Sequence, residues 1–91
     1  MRHATEEDLD RLEPLLVELR KFPQLSERRR GYFSRGPRAF LHFHADTAHL
    51  YVDLRLNAAF QRIRVTSREE QADLLFRVRR ALQSTGQGGD S

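Results

Sequence analysis

Residues 39–45 read Ala-Phe-Leu-His-Phe-His-Ala, and after Asp46-Thr47-Ala48 residues 49–56 read His-Leu-Tyr-Val-Asp-Leu-Arg-Leu. Apolar and polar side chains alternate in both stretches. This alternation is typical of strands with one buried face, because successive side chains of a strand point to opposite sides. The pattern therefore predicts a β-hairpin with leucine, phenylalanine and valine on its buried face and histidine, tyrosine, aspartate and arginine on its polar face.

A two-residue turn at Asp46-Thr47 predicts the pairing of this hairpin: His44 lies opposite His49, and His42 lies opposite Tyr51. A third strand at residues 60–65, after a turn at residues 57–59, places Arg64 opposite Asp53. The polar face is then a candidate ligand or partner surface. Its members are Phe40, His42, His44, His49, Tyr51, Asp53, Arg62 and Arg64.

Two helices flank the predicted strands. Thr5 and the acidic residues after it start the first helix, whose leucines recur on one face, and the capping box Ser67-Arg68-Glu69-Glu70 starts the second, which runs to about Leu82. Residues 24–38 between the first helix and the hairpin form a basic connector. The expected fold is α+β with the order α-β-β-β-α, a three-stranded antiparallel meander with both helices packed on one face.

The 91 residues are enough for one domain, expected at 1–83, followed by a glycine-rich disordered tail at 84–91. The absence of cysteine excludes disulfides and thiolate metal sites and is consistent with a reducing cytoplasm. No apolar stretch approaches the roughly 20 residues that cross a bilayer, and the amino terminus is not that of a signal peptide. We expect a cytoplasmic protein without a membrane partner.

The stretches 38–46, 50–56 and 64–67, with the helix that follows, are similar to a group of small uncharacterised bacterial proteins. The shared features are a Phe-Leu-His-Phe-His strand, an acidic turn and a second strand that carries an aspartate. The similarity covers residues 33–82. It implies the same fold and a bacterial origin, and it brings no activity with it.

The sequence favours a non-enzymatic role. No serine or cysteine nucleophile accompanies the histidines, no glycine-rich phosphate loop is present, and no cofactor is expected. Aromatic residues and arginine are enriched in protein interfaces. The polar face is therefore expected to mediate self-association as a homodimer, or to bind a protein or small-ligand partner.

Three alternatives remain open. The basic connector can bind RNA or another nucleic acid through phosphate contacts and base stacking. Its candidate residues are Arg28, Arg29, Arg30, Tyr32, Phe33, Arg35 and Arg38. A second alternative is a zinc or nickel site formed by His44, His49 and Asp46. A third is a small enzyme that uses residues of the polar face as acid and base.

Overall fold

The computed structural model describes residues 1–90, with side chains as far as residue 83, so the tail expected at 84–91 lies outside the fully described residues. The elements in chain order are β1 (Arg2–His3), α1 (Glu6–Leu19), β2 (Ser26–Arg29), β3 (Tyr32–Arg35), β4 (Arg38–Ala45), β5 (Leu50–Leu56), β6 (Ala59–Arg64) and α2 (Arg68–Asp90). The predicted α+β class, with helices on an antiparallel sheet, is confirmed. Neither helix of the described chain is long and apolar enough to cross a membrane.

The sheet is larger than the sequence predicts. Its strands follow the order β2-β3-β4-β5-β6, and β1 pairs with the end of β4, where His3 lies opposite His44. The three predicted strands are β4, β5 and β6. The basic connector is not a loop: it forms the hairpin β2–β3, whose turn contains Gly31 at a φ of 80°, a conformation that favours glycine.

The predicted strand register is wrong by two residues in both hairpins. His44 lies opposite Tyr51 and His42 opposite Asp53, while Arg62 and not Arg64 lies opposite Asp53. The first turn is a four-residue loop, because the Asp46 carboxylate accepts hydrogen bonds from the backbone N–H groups of Ala48 and His49. A shift of two residues keeps every side chain on its predicted face.

A β-bulge changes the position of Phe40. The pairing of β3 with β4 moves from Phe33 opposite Leu41 to Ser34 opposite Ala39, which leaves Phe40 as an extra residue in β4. Phe40 is only 5% exposed and belongs to the hydrophobic core. It is therefore not part of the polar surface to which the strict alternation assigned it.

The core lies between the helices and one face of the sheet. Leu12, Leu16 and Leu19 of α1 and Leu74 and Val78 of α2 are fully buried. They pack in one hydrophobic cluster with the inward side chains of the strands, such as Phe43, Val52 and Leu54. With this face covered by helices, the opposite face of the sheet carries the polar side chains.

Candidate metal centre

Three neighbouring strands bring His42, His44, Asp53 and Arg62 together. His42 and His44 are two residues apart on β4 and therefore point to the same side of the sheet. Asp53 on β5 lies opposite His42, and Arg62 on β6 lies opposite Asp53. The structure thus places these four members of the predicted surface in one cluster, although it pairs them differently.

Two imidazole nitrogens face the same carboxylate oxygen. Nε2 of His44 lies 3.2 Å and Nε2 of His42 lies 3.5 Å from Oδ2 of Asp53. In a tetrahedral zinc site, bonds of about 2.0–2.1 Å place neighbouring ligand atoms about 3.3–3.4 Å apart. One ligand atom from each residue can be chosen so that all three lie within 4.8 Å of one another. The spacing suits a shared metal ion.

Nε2 of His44 is a buried polar atom without a hydrogen-bond partner among the described residues. Its contact with Asp53 is short but lacks the geometry of a hydrogen bond. An unsatisfied buried polar group costs about 1–3 kcal/mol, so such an atom in a folded protein calls for an explanation. A cation bound between the imidazole and the carboxylate would satisfy both groups.

The protonation states favour cation binding. Burial lowers the pKa of His42 and of His44, and the attraction of Asp53 only partly offsets this effect. Hydrogen bonds from Arg62 lower the pKa of Asp53 despite its partial burial. At neutral pH the cluster therefore contains two neutral imidazoles and one carboxylate, which are the forms that bind metal ions.

Surrounding groups orient Asp53 and His44. Arg62 donates from Nε to Oδ1 of Asp53 at 2.7 Å and from Nη2 to Oδ2 at 2.9 Å. Each carboxylate oxygen has two lone pairs, so Oδ2 can accept from Arg62 and still bind an ion. The backbone of Arg2 on the paired strand β1 acts on His44 as a hydrogen-bond partner that raises its pKa, against the larger lowering effect of burial.

Aromatic rings form a wall beside the cluster. The ring of His3 lies 4.7 Å from that of His44, and Tyr32 stacks on His42 at 5.9 Å with nearly parallel planes. The Tyr32 hydroxyl is 3.2 Å from Nδ1 of His3, and Phe60 contacts His42 edge-on. Sequence reasoning missed His3 because a two-residue strand carries no alternation, and it assigned Tyr32 to another surface.

The metal site expected from the sequence, with His44, His49 and Asp46 as ligands, does not form in the described part of the chain. Nδ1 of His49 lies 3.3 Å from the Thr66 hydroxyl, and its Nε2 lies 3.4 Å from a nitrogen of Arg64. Asp46 holds the β4–β5 loop and accepts a hydrogen bond from the Tyr51 hydroxyl. In the part of the chain with described side chains, the group of histidine and acidic residues with ligand spacing is His42, His44 and Asp53.

The residues expected to bind nucleic acid do not form one continuous exposed surface. Arg30 contacts three carboxylates of α1, and Arg28 donates to the Ser34 hydroxyl. Arg29 lies over the ring of Tyr32, at 4.0 Å from its centroid. Phe33 is 2% exposed in the core and cannot stack on a base. Arg35 and Arg38 lie elsewhere, at a cavity described below.

Comparisons of the chain with protein-family models, with curated proteins and with solved structures give no match.

Proposed function

We propose that this chain is a small metal-binding domain that holds one divalent transition-metal ion on the polar face of its sheet. The ligands are Nε2 of His42, Nε2 of His44 and Oδ2 of Asp53. The observation that carries the proposal is the buried, unpartnered Nε2 of His44 at 3.2 Å from a carboxylate oxygen. The lowered pKa values of both histidines support it, since protons compete less with the ion.

The donor set favours zinc or a neighbouring transition metal. Imidazole nitrogen suits zinc, copper, iron and nickel, whereas calcium and magnesium prefer sites made of oxygen ligands. Arg62 on Asp53 and the Arg2 backbone on His44 act as the outer partners that orient metal ligands. Three protein ligands leave a position for water or a small molecule, as in catalytic zinc sites. The domain would thereby bind a small ligand through the ion.

The experiment is a calorimetric titration of the full chain with Zn²⁺, repeated on His44→Ala and on the matched control His49→Ala. Each substitution removes one imidazole from the polar face, but the nitrogens of His49 already face Thr66 and Arg64. Wild type and His49→Ala are expected to bind one ion each, and His44→Ala none at the same concentrations. Equal binding by both variants, or no binding by wild type, overturns the proposal.

A second candidate function is self-association, or binding of a protein partner, through the same face. Phe60 favours it, because this large apolar side chain is 40% exposed and lies against His42. Size-exclusion chromatography with light scattering tests it. A dimer in wild type that dissociates in Phe60→Ser supports self-association, whereas a monomer at high concentration rules self-association out and leaves the metal proposal intact.

A further inference from the structure

A cavity of about 510 Å³ lies at one end of the sheet, where the β3–β4 turn and the end of β5 meet α2. Its volume falls within the range of roughly 300–1,000 Å³ that is typical of small-molecule sites. It is separate from the metal ligands, none of which lines it. Five of its lining residues are arginines: Arg35, Arg38, Arg55, Arg77 and Arg80.

The cavity is strongly cationic, because no aspartate or glutamate is among its lining residues. Arg77 has a carboxylate partner in Asp73, and Nε of Arg55 donates to a backbone carbonyl. Arg35, Arg38 and Arg80 form no ion pair with a carboxylate whose side chain the structure describes. This differs from the arginines near α1 and the metal centre, where carboxylates take up Arg30 and Arg62. Uncompensated guanidinium groups at one cavity favour an anionic ligand.

Aromatic surface accompanies these charges. Phe40, brought inward by the β-bulge, lines the cavity from the core side. Phe76 on α2 is 54% exposed, the largest exposure among the phenylalanines of the described chain, and it also lines the cavity. The guanidinium carbon of Arg80 is 5.8 Å from its ring centroid. An exposed phenylalanine next to unpaired arginines suits a ligand with both a flat ring and negative charge.

We propose that this cavity binds a nucleotide, with its base against Phe76 and its phosphates held by Arg35, Arg38 and Arg80. Guanidinium groups bind phosphate oxygens through two parallel charge-assisted hydrogen bonds, and a base stacks on an aromatic ring whatever its identity. A diphosphate carries enough negative charge to balance these three arginines. A base next to two or three negative charges is offered by a free nucleoside diphosphate and by a short single strand with its successive phosphodiesters, and the experiment separates these two sources.

The experiment measures the fluorescence of N-methylanthraniloyl-ADP as the full chain is titrated at low salt, followed by displacement with unlabelled ADP. Arg80→Gln is expected to weaken binding about tenfold, the loss of one charge-assisted contact. Arg79→Gln is the matched control: it makes the same charge change one residue away, but Arg79 lines a different, smaller cavity. It is expected to bind the probe as wild type does. Phe76→Leu is expected to weaken binding about tenfold through lost stacking.

Three competitors decide the identity of the ligand. Displacement by ADP at lower nucleotide concentration than by an oligouridylate of about eight nucleotides assigns a free nucleotide, and the reverse assigns a single strand. Displacement by inorganic pyrophosphate as effective as by ADP overturns the proposal, because the ring then contributes nothing. Absence of probe binding overturns it as well, as does an equal loss of affinity in Arg79→Gln and Arg80→Gln. None of these outcomes depends on the metal centre.

Discussion

Asp8 and Asp53 are both largely buried carboxylates, but their surroundings differ. The Asp8 side chain is 1% exposed and accepts hydrogen bonds from the backbone and hydroxyl of Thr5, from Arg2 and from Arg11. The Asp53 side chain is 13% exposed, accepts hydrogen bonds from Arg62 and lies against His42 and His44, with Nε2 of His44 unpartnered.

The comparison separates a structural carboxylate from one with binding capacity. At Asp8 the donors all come from residues 2–11, and the group completes the capping box of α1. At Asp53 the neighbours come from two other strands, and they include nitrogen lone pairs that can bind a cation. Burial and lowered pKa are common to both carboxylates. The unpartnered imidazole beside Asp53 is what distinguishes it.

The largest expected effect is on metal affinity. Asp53→Asn keeps an oxygen for Arg62 but removes the charge that binds the ion. We expect zinc affinity to fall more than about 100-fold, since loss of an outer-shell partner alone costs about 10–100-fold. Asp8→Asn is the control, because it removes the charge of the other buried carboxylate and should leave zinc affinity unchanged. Similar affinities of wild type and Asp53→Asn in calorimetry would contradict the assignment.

The dependence of zinc affinity on pH is the next effect. His42 and His44 have pKa values below the ordinary 6.5, so both imidazoles are neutral at pH 7 and protons do not compete. As the pH falls through these lowered pKa values, the affinity should decrease by up to about 100-fold per pH unit, because two protons are displaced. Calorimetry from pH 8 down to the lowest pH at which the chain stays folded checks this. An affinity that is constant over this range would exclude the histidines as ligands.

The two carboxylates should differ in their contribution to stability. Asp8→Ala is expected to lower the free energy of unfolding by about 1–3 kcal/mol, because it leaves the backbone N–H of Thr5 at the start of α1 without its acceptor. Asp53→Ala, measured without metal, should cost less, because the hydrogen bonds that Asp53 accepts in the described chain come from the half-exposed Arg62 side chain, which can be solvated, and none comes from a backbone N–H group. Urea unfolding of both variants tests the order, and a larger loss in Asp53→Ala would contradict it.

Acid unfolding should follow from the same groups. The pKa values of Asp8 and Asp53 are below 3.8 in the folded chain, so their stabilisation is present above that value and is lost as the pH falls through the folded pKa values. His42 and His44 affect stability at higher pH. Because their pKa values are lowered by folding, the unfolded chain binds protons below about pH 6.5 while the folded chain does not. The free energy of unfolding therefore begins to decrease near pH 6.5. Chemical unfolding at pH 7.5, 5.5 and 3.5 measures both steps.

The smallest effect is expected in the exposed ion pairs of α1 with the β2–β3 hairpin. Arg30 contacts Glu6, Asp10 and Glu13, but these carboxylates are accessible to solvent and salt. We expect Arg30→Gln to lower the melting temperature slightly at low salt and hardly at all in high salt. A large decrease that persists in high salt would mean that this network stabilises the fold as strongly as Asp8 does.

The period of two in residues 39–56 was sufficient to predict β4, β5 and the polar face. The predicted register was wrong, but the side chains of the polar face, apart from Phe40, were still assigned correctly, because a shift of two residues keeps each side chain on the same face. The register itself depends on the hydrogen bonds of Asp46 inside the loop, which composition does not reveal. Both capped helix starts were predictable, since capping residues signal them locally.

The remaining parts of the sheet depend on tertiary pairing. β1 has two residues and becomes a strand by pairing with β4, so His3 could not be placed in the cluster from the sequence. β2 and β3 are only four residues long and rich in arginine, so their sequences show no clear alternation of apolar and polar side chains. The inward position of Phe40 results from a bulge set by the neighbouring strand. The positions of His3 and Tyr32 beside the metal ligands were therefore beyond local sequence patterns.

The most direct test of the metal centre is NMR of the histidine ring nitrogens during titration with Zn²⁺. If His42 and His44 are ligands, the resonance of Nε2 in each ring shifts to the value of metal-bound imidazole at one equivalent of zinc, while the resonances of the His49 nitrogens stay unchanged. Zinc-induced shifts at His49 with none at His42 and His44, or no shift in any ring, would contradict this ligand assignment.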